Sequence, residues 1–91
     1  MATAAPARPA GLTGRLAELL TEIRTRRGRW NTIRVVRLYQ RLPSTHDIPP
    51  GRLRAVARGD LRDLNVWGWL VLHDELSNRH YTLNARKDHA S

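Results

Sequence analysis

The chain has 91 residues, which is enough for one small domain with a single hydrophobic core. It contains no cysteine, so disulfide bonds, thiolate metal ligands and a cysteine nucleophile are all excluded. Sixteen Lys and Arg residues against eight Asp and Glu residues give a formal net charge of +8. Such an excess suits a polyanionic partner.

The N-terminal segment, residues 1–11, combines Ala and Pro with almost no large apolar side chain, so we predict a flexible tail there. Pro6 and Pro9 interrupt it and no apolar run follows, which argues against a secretory signal. An organellar transit peptide stays open, because the segment is rich in Ala and lacks acids. No stretch approaches the roughly 18 apolar residues of a membrane span. The expected location is the cytoplasm.

Apolar residues at helical spacing predict a first helix over residues 13–27. Thr13 is a suitable N-cap, and Gly28 is a suitable stop after the two cationic residues of the last turn. The residues that share its apolar face are Leu12, Leu16, Leu19, Leu20 and Ile23.

A short strand at residues 29–31 and a second helix over residues 32–41 follow, with Asn31 or Thr32 as the N-cap. The inner stripe and the basic stripe of this helix fall on different sides. The inner stripe is Val35, Leu38, Tyr39 and Leu42, and the basic stripe is Arg34, Arg37 and Arg41. The next segment, residues 43–51, is rich in turn residues and reads as a loop.

A third helix is predicted over residues 50–67, ended by Gly68 in the left-handed conformation. Its buried face is formed by Leu53, Ala57, Asp60, Leu61 and Leu64. Two β-rich runs, residues 69–73 and 80–83, then flank a polar stretch of hairpin-loop length at residues 74–79. These runs predict a β-hairpin with one buried side.

The order helix, short strand, helix, helix, hairpin resembles the winged helix-turn-helix family. Residues 60–70, Asp-Leu-Arg-Asp-Leu-Asn-Val-Trp-Gly-Trp-Leu, are similar to the family's pattern in which the recognition helix ends in Gly and enters the first wing strand. Residues 71–74 and 79–83 match its wing. We therefore expect a mainly α domain with a β-hairpin (α+β) over residues 12–84 and a flexible tail at 85–91. Three helices and a two- or three-stranded antiparallel wing sheet would make up the domain.

The resemblance implies a DNA-binding domain whose third helix enters the major groove. On the helical wheel, the side opposite the buried face carries arginines and small residues, which would bring the backbone close to base edges. The candidate DNA-binding residues on this helix are Arg52, Ala55, Arg58, Gly59 and Arg62. An amphipathic core helix with a solvated charged face would have the same pattern.

Other candidate DNA contacts lie before and after this helix. The second helix and the segment before it offer phosphate contacts, although plain solubility explains the same charges equally well. In the wing, Asp74 and Glu75 would be repelled by phosphates, so only two residues there are expected to bind. The additional candidates are Arg29, Asn31, Arg34, Arg37, Asn78 and Arg79.

Catalytic and metal-binding patterns are weak. His73 and His80 would face one another across the hairpin, but structural metal sites usually need four ligands, so we interpret them as surface histidines. His46 and Asp47 lack a serine placed to complete a triad. We expect no enzyme, no metal and no cofactor.

Trp67 and Trp69 flank Gly68, so we do not expect both of them to point inward. An exposed one would mark a partner surface, and a homodimer through it or through the first helix is expected. The function favoured by these patterns is sequence-specific binding of double-stranded DNA in transcriptional regulation. The alternatives are a protein-interaction winged helix with an acidic partner, or an RNA-binding module.

Overall fold

Three helices precede a β-hairpin in the structure, in the order that the hydrophobic periodicity predicts. The computed structural model describes residues 14–76 and 78–90, so the predicted N-terminal tail and the Thr13 cap lie outside the described residues. None of the helices in this part of the chain is long and apolar enough to cross a membrane. The elements are α1 (Gly14–Arg26), α2 (Thr32–Tyr39), α3 (Leu53–Val66), β1 (Leu70–Glu75), β2 (Asn78–Leu83) and α4 (Ala85–Ala90).

Asn31 and Gly68 cap helices as the sequence predicts, but α1 and α2 end at Arg26 and Tyr39, earlier than the predicted residues 27 and 41. The Asn31 carboxamide oxygen accepts a hydrogen bond from the Arg34 backbone N–H at 2.9 Å, which caps α2. Gly68, with a φ angle of 89°, adopts the left-handed conformation that ends α3, whereas after α1 the left-handed conformation begins at Arg27, with φ of 58°, and continues at Gly28, with φ of 82°. The third helix starts later than predicted, because Pro50–Arg52 form a 3-10 turn in which the Arg52 N–H bonds to the Pro49 carbonyl.

The two strands form an antiparallel hairpin that is longer than the sequence predicts. Leu70 pairs with Leu83 and Leu72 with Tyr81, so the predicted apolar side is confirmed. Pairing continues through residues 74–75 and 78–79, which the sequence assigned to the loop, because backbone pairing does not require apolar side chains. Trp30 adds a single bridge to this sheet: its N–H and C=O bond to the C=O and N–H of Tyr81 at 2.8 and 2.7 Å.

The core is built from the predicted inner faces of the three helices, closed by two tryptophans and the first strand. Trp30 and Trp69 are each only 1% exposed, whereas Trp67 is half-buried and packs at the edge of the core. The predicted exposed tryptophan is therefore not found. The buried apolar residues are Leu19, Leu20, Ile23, Trp30, Val35, Leu38, Tyr39, Leu53, Ala57, Leu61, Leu64, Trp69 and Leu70.

A buried carboxylate connects the three helices. Asp60 of α3 accepts two hydrogen bonds from Arg15 of α1, with Nε–Oδ2 at 2.6 Å and Nη2–Oδ1 at 3.0 Å. The Tyr39 hydroxyl of α2 donates to Asp60 Oδ2 at 2.6 Å. Burial, together with this carboxylate, raises the pKa of Tyr39 well above its usual range, so the phenol stays a protonated donor. The sequence placed Asp60 on the buried face but gave no sign of its partners.

The chain after the hairpin is helical, where the sequence predicted a tail from residue 85. Asn84 anchors this end: its side-chain amide donates to the Gly68 carbonyl at 2.8 Å, and its backbone N–H donates to the Trp69 carbonyl at 2.9 Å. The Lys87 ammonium then lies 4.8 Å from the centre of the Trp69 ring, within the range of a cation–π contact. Because these anchors join residues 15 to 18 positions apart, hydrophobic periodicity does not detect them.

Replacing Asp60 tests how much the buried network contributes to the free energy of unfolding. Asp60→Ala removes the acceptor that Arg15 and Tyr39 share, while the Arg15 side chain, 36% exposed, can turn toward water. We therefore expect a loss of about 2–4 kcal/mol in unfolding free energy, measured by urea denaturation. Asp63→Ala on the same helix, where the side chain is 42% exposed, is the control and should change it by less than about 0.5 kcal/mol. Equal effects of the two changes would show that the network contributes little.

Candidate functional site

A groove of about 540 Å³ lies between α3, the start of α2 and strand β2. We call it the basic groove, because four arginines line it and none of its described lining residues carries a carboxylate. Such a surface attracts phosphate or another polyanion over most of its length. The lining residues are Asn31, Thr32, Ile33, Arg54, Ala55, Arg58, Gly59, Arg62, Arg79 and Tyr81.

The outward side of α3 forms one wall of the groove. Arg54, Arg58 and Arg62 follow one another at intervals of four residues, which is about 6 Å along a helix axis. Ala55 and Gly59 lie beside this row, and a Cβ added at Gly59 would meet no atom within 4 Å. The helix backbone is therefore open to close approach at the middle of an arginine row.

Backbone pairing of Trp30 with Tyr81 positions the other walls. It holds the residue before the Asn31 cap against β2, so the start of α2 and Arg79 both border α3 across the same groove. The first N–H groups of a helix lack partners inside it and favour negative charge nearby. The groove thus combines guanidinium groups with a helix N-terminus.

The arginines of α2 lie elsewhere. The Arg34 guanidinium stacks over the Trp30 ring at 3.8 Å and donates to the Arg29 carbonyl at 2.8 Å. With Arg26, Arg37 and other residues it lines a separate hollow of about 120 Å³ whose described lining residues do not overlap with those of the basic groove. The packing of Arg34 on Trp30 could not be inferred from its place on the helical wheel.

The structure thus brings together six of the eleven predicted DNA-binding residues and separates five from them. Arg52 is exposed in the turn before α3, and Asn78 pairs with Glu75 in the hairpin. The six that line the basic groove are Asn31, Ala55, Arg58, Gly59, Arg62 and Arg79. The five that do not are Arg29, Arg34, Arg37, Arg52 and Asn78.

Four lining residues were not predicted from the sequence. Arg54 had a signal, because it precedes Arg58 by four residues and so lies on nearly the same side of the helix. Thr32, Ile33 and Tyr81 enter the groove only because Trp30 pairs with β2, a contact between residues about fifty positions apart. The sequence predicts an extended segment at residues 29–31, but no local pattern indicates which residue of the hairpin it pairs with.

The two hairpin histidines are stacked, and one of them is buried. Their rings lie 4.7 Å apart and nearly parallel, and His73 Nε2 is 2.8 Å from the Thr82 hydroxyl oxygen. The interpretation of both as surface residues is wrong for His80, which is 5% exposed because His73 covers its ring. Among the described residues, no group of three or more His, Asp or Glu side chains is arranged to hold a metal ion.

Comparison of the chain with models of known protein families gave no match, and neither did comparison with curated proteins or with solved structures.

Two glycine replacements test the geometry of the groove wall without any ligand. Gly59→Ala adds a methyl group to open space in the middle of α3, so helix propensity should raise the unfolding free energy by up to about 1 kcal/mol. Gly28→Ala is the matched change at a position with φ of 82°, where the new Cβ would lie 3.3 Å from Arg34 Nη1, and it should destabilise the domain. Thermal unfolding measures both. A loss of stability in Gly59→Ala would show that the groove face is not open there.

Proposed function

We propose that this chain is a winged helix-turn-helix domain that binds double-stranded DNA with α3 in the major groove. The observation that carries the proposal is the basic groove, in which an open helix face with three arginines adjoins a helix N-terminus and an arginine of the hairpin. The element order supports the fold: a helix, an extended residue that pairs with the sheet, two helices and a hairpin. In this view Trp30 supplies the third strand of the wing sheet, and β1 and β2 are the wing.

The dimensions and chemistry of α3 suit the major groove. An α-helix with its side chains is about 10–12 Å wide, and the major groove of B-form DNA is about 12 Å wide. Arginine donates two parallel hydrogen bonds to guanine O6 and N7, which is the commonest specific contact in such complexes. Gly59 and Ala55 would let the helix approach the base edges, with Arg58 and Arg62 on either side of the closest point.

The arrangement favours DNA over the other polyanions. The deep and narrow major groove of A-form RNA does not admit a helix, so a reader built on a helix face fits DNA better. Arg54, at the N-terminal end of the arginine row, and Arg79 of the hairpin would bind the phosphates that flank the bases, while Arg58 and Arg62 would read sequence. Regulation of transcription is the activity that sequence-specific binding of this kind would serve.

Salt dependence and two arginine replacements test duplex binding. With four groove arginines on phosphates and bases, affinity for random-sequence duplex should fall roughly a hundred-fold or more between 50 and 200 mM salt.

Arg58→Ala or Arg62→Ala should cost about 1–3 kcal/mol on a duplex selected for tight binding and less on random duplex, because base contacts are lost. Arg86→Ala is the control, because it removes an exposed arginine of α4 outside the groove. It should weaken binding to the selected duplex and to the random duplex by less than the two groove variants do. Fluorescence anisotropy measures all three.

No binding at low salt, or equal losses for the groove variants and Arg86→Ala, would contradict the proposal and favour an acidic protein as the partner.

A negative charge at the middle of the groove wall provides the sharpest single variant. Gly59→Glu points a carboxylate into open space, so the fold and the melting temperature should be kept, since Glu is a good helix former. Binding of duplex should be lost, because the new charge and bulk would lie against the phosphates and base edges. Thr21→Glu adds the same charge on the exposed side of α1 and should bind nearly as wild type does. If Gly59→Glu bound as tightly as Thr21→Glu, α3 would not contact the duplex.

A further inference from the structure

The tip of the hairpin has a chemistry that DNA binding does not use. Asp74 and Glu75 are exposed at the end of β1, and neither is in an ion pair with another described residue. Leu76, which follows them, is 108% exposed, the most exposed of the large apolar side chains in the described part of the chain. The two carboxylates would be repelled by phosphates, and burying the leucine side chain would be more favourable than leaving it exposed to water. The tip is therefore suited to an apolar site with cationic borders.

The same chain presents such a site. A cleft of about 350 Å³ lies between α2 and the beginning of α3, and we call it the α2–α3 cleft. Its apolar wall includes Ile33, which is 52% exposed, and its two cationic side chains are Arg37 and Arg54. None of its described lining residues is acidic. The remaining lining residues are Thr32, Val36, Gln40, Pro50 and Leu53.

We propose that the hairpin tip of one copy of this chain docks into the α2–α3 cleft of a second copy. Leu76 would enter the apolar part of the cleft, and the carboxylates of Asp74 and Glu75 would meet Arg37, which does not line the basic groove. Each surface supplies what the other lacks, a leucine beside carboxylates against an apolar cleft bordered by a cation that the basic groove does not use. The same sequence therefore contains both the cleft and a segment that fits it, so a second copy of the chain can occupy the cleft.

The contact joins two different surfaces, so its symmetry differs from that of a two-fold dimer. A pair of copies joined head to tail still has a free tip on one copy and a free cleft on the other, so further copies can be added through the same contact. On DNA, copies related in this way would read sites in the same orientation, as direct repeats rather than palindromes. In this respect the inference rests on the proposed function.

The size of the contact sets the conditions under which it forms. One hairpin tip in a cleft buries far less than the roughly 800 Å² per partner of a stable complex, so free copies at low concentration should stay monomeric. Copies bound side by side on one duplex have effective concentrations in the millimolar range, where a weak contact is populated. The expected behaviour is cooperative binding without a stable dimer in solution.

Engineered disulfides test the contact directly, because the natural chain has no cysteine. One copy carries Asn78→Cys, close to the tip, and the other carries Gln40→Cys in the cleft. The matched control for the second copy is Thr25→Cys on the exposed side of α1. The rate of disulfide formation is measured under two conditions: with random-sequence duplex saturated with protein, and with millimolar protein and no duplex. We expect the 78–40 crosslink to form roughly tenfold faster than the 78–25 crosslink in both settings.

Charge reversal distinguishes docking from mere proximity of the two cysteines. Adding Glu75→Arg to the tip copy should remove the preference for the 78–40 crosslink, and so should adding Arg37→Glu to the cleft copy. Combining both reversals, one on each copy, should restore it, because the charges then attract again. Leu76→Ser on the tip should also remove the preference, since its apolar contact is lost.

The outcomes separate this inference from the proposed function. Equal rates for the 78–40 and 78–25 pairs in both settings, or no restoration by the paired reversals, would overturn the head-to-tail contact even if duplex binding is normal. Loss of duplex binding with a preferred 78–40 crosslink at millimolar protein would overturn the proposed function and support the contact.

Discussion

The Asp60 carboxylate is the interaction on which the rest of the structure depends. It ties α1 through Arg15 and α2 through Tyr39 to the helix that carries the groove arginines. A buried carboxylate with one partner would cost more in lost hydration than it returns, whereas this one accepts three hydrogen bonds, two of them from a guanidinium. Because Gly59 precedes it directly, one turn of α3 joins the buried network on one side to the basic groove on the other.

A second constraint completes the groove from the opposite direction. The Trp30–Tyr81 pairing attaches the segment before α2 to the hairpin, and the indole of Trp30 fills the core while its ring supports Arg34. The start of α2 is thereby attached to the hairpin through the backbone. The positions of Arg79 and of the α2 N-terminus relative to α3 follow from these two attachments, one polar and buried, the other through the backbone.

Local patterns in the sequence predicted what depends on neighbours along the chain. The three helices, the Asn31 cap, Gly68 as a helix end and the apolar side of the hairpin all follow from spacing within about ten residues, and the structure has each of them. The groove face at Arg58, Gly59 and Arg62 follows in the same way, because a helical wheel places it opposite the buried face.

The features that the sequence did not reveal all join distant positions. The two partners of Asp60 are 45 and 21 residues away, and the pairing of Trp30 with Tyr81 brings three further residues into the groove. The helix after Asn84 depends on bonds to Gly68 and Trp69, and the burial of His80 depends on a ring across the hairpin. Each needs the tertiary arrangement before the contact exists, so composition and periodicity carry no signal for it.

The charges of the domain are divided between its surfaces. Arginines line the basic groove, while the exposed acids Asp74 and Glu75 lie at the hairpin tip beside Leu76. We propose the groove for duplex DNA and the hairpin tip for a second copy of the chain.

Titration of the ¹⁵N-labelled chain with a random-sequence duplex at low salt tests the central claim most directly, because amide chemical shifts report the contact surface without any substitution. We expect the largest changes within residues 31–33, 54–62 and 79–81, the three segments that supply the lining of the basic groove. Changes confined to α4 and the exposed side of α1, or no change at all, would contradict it.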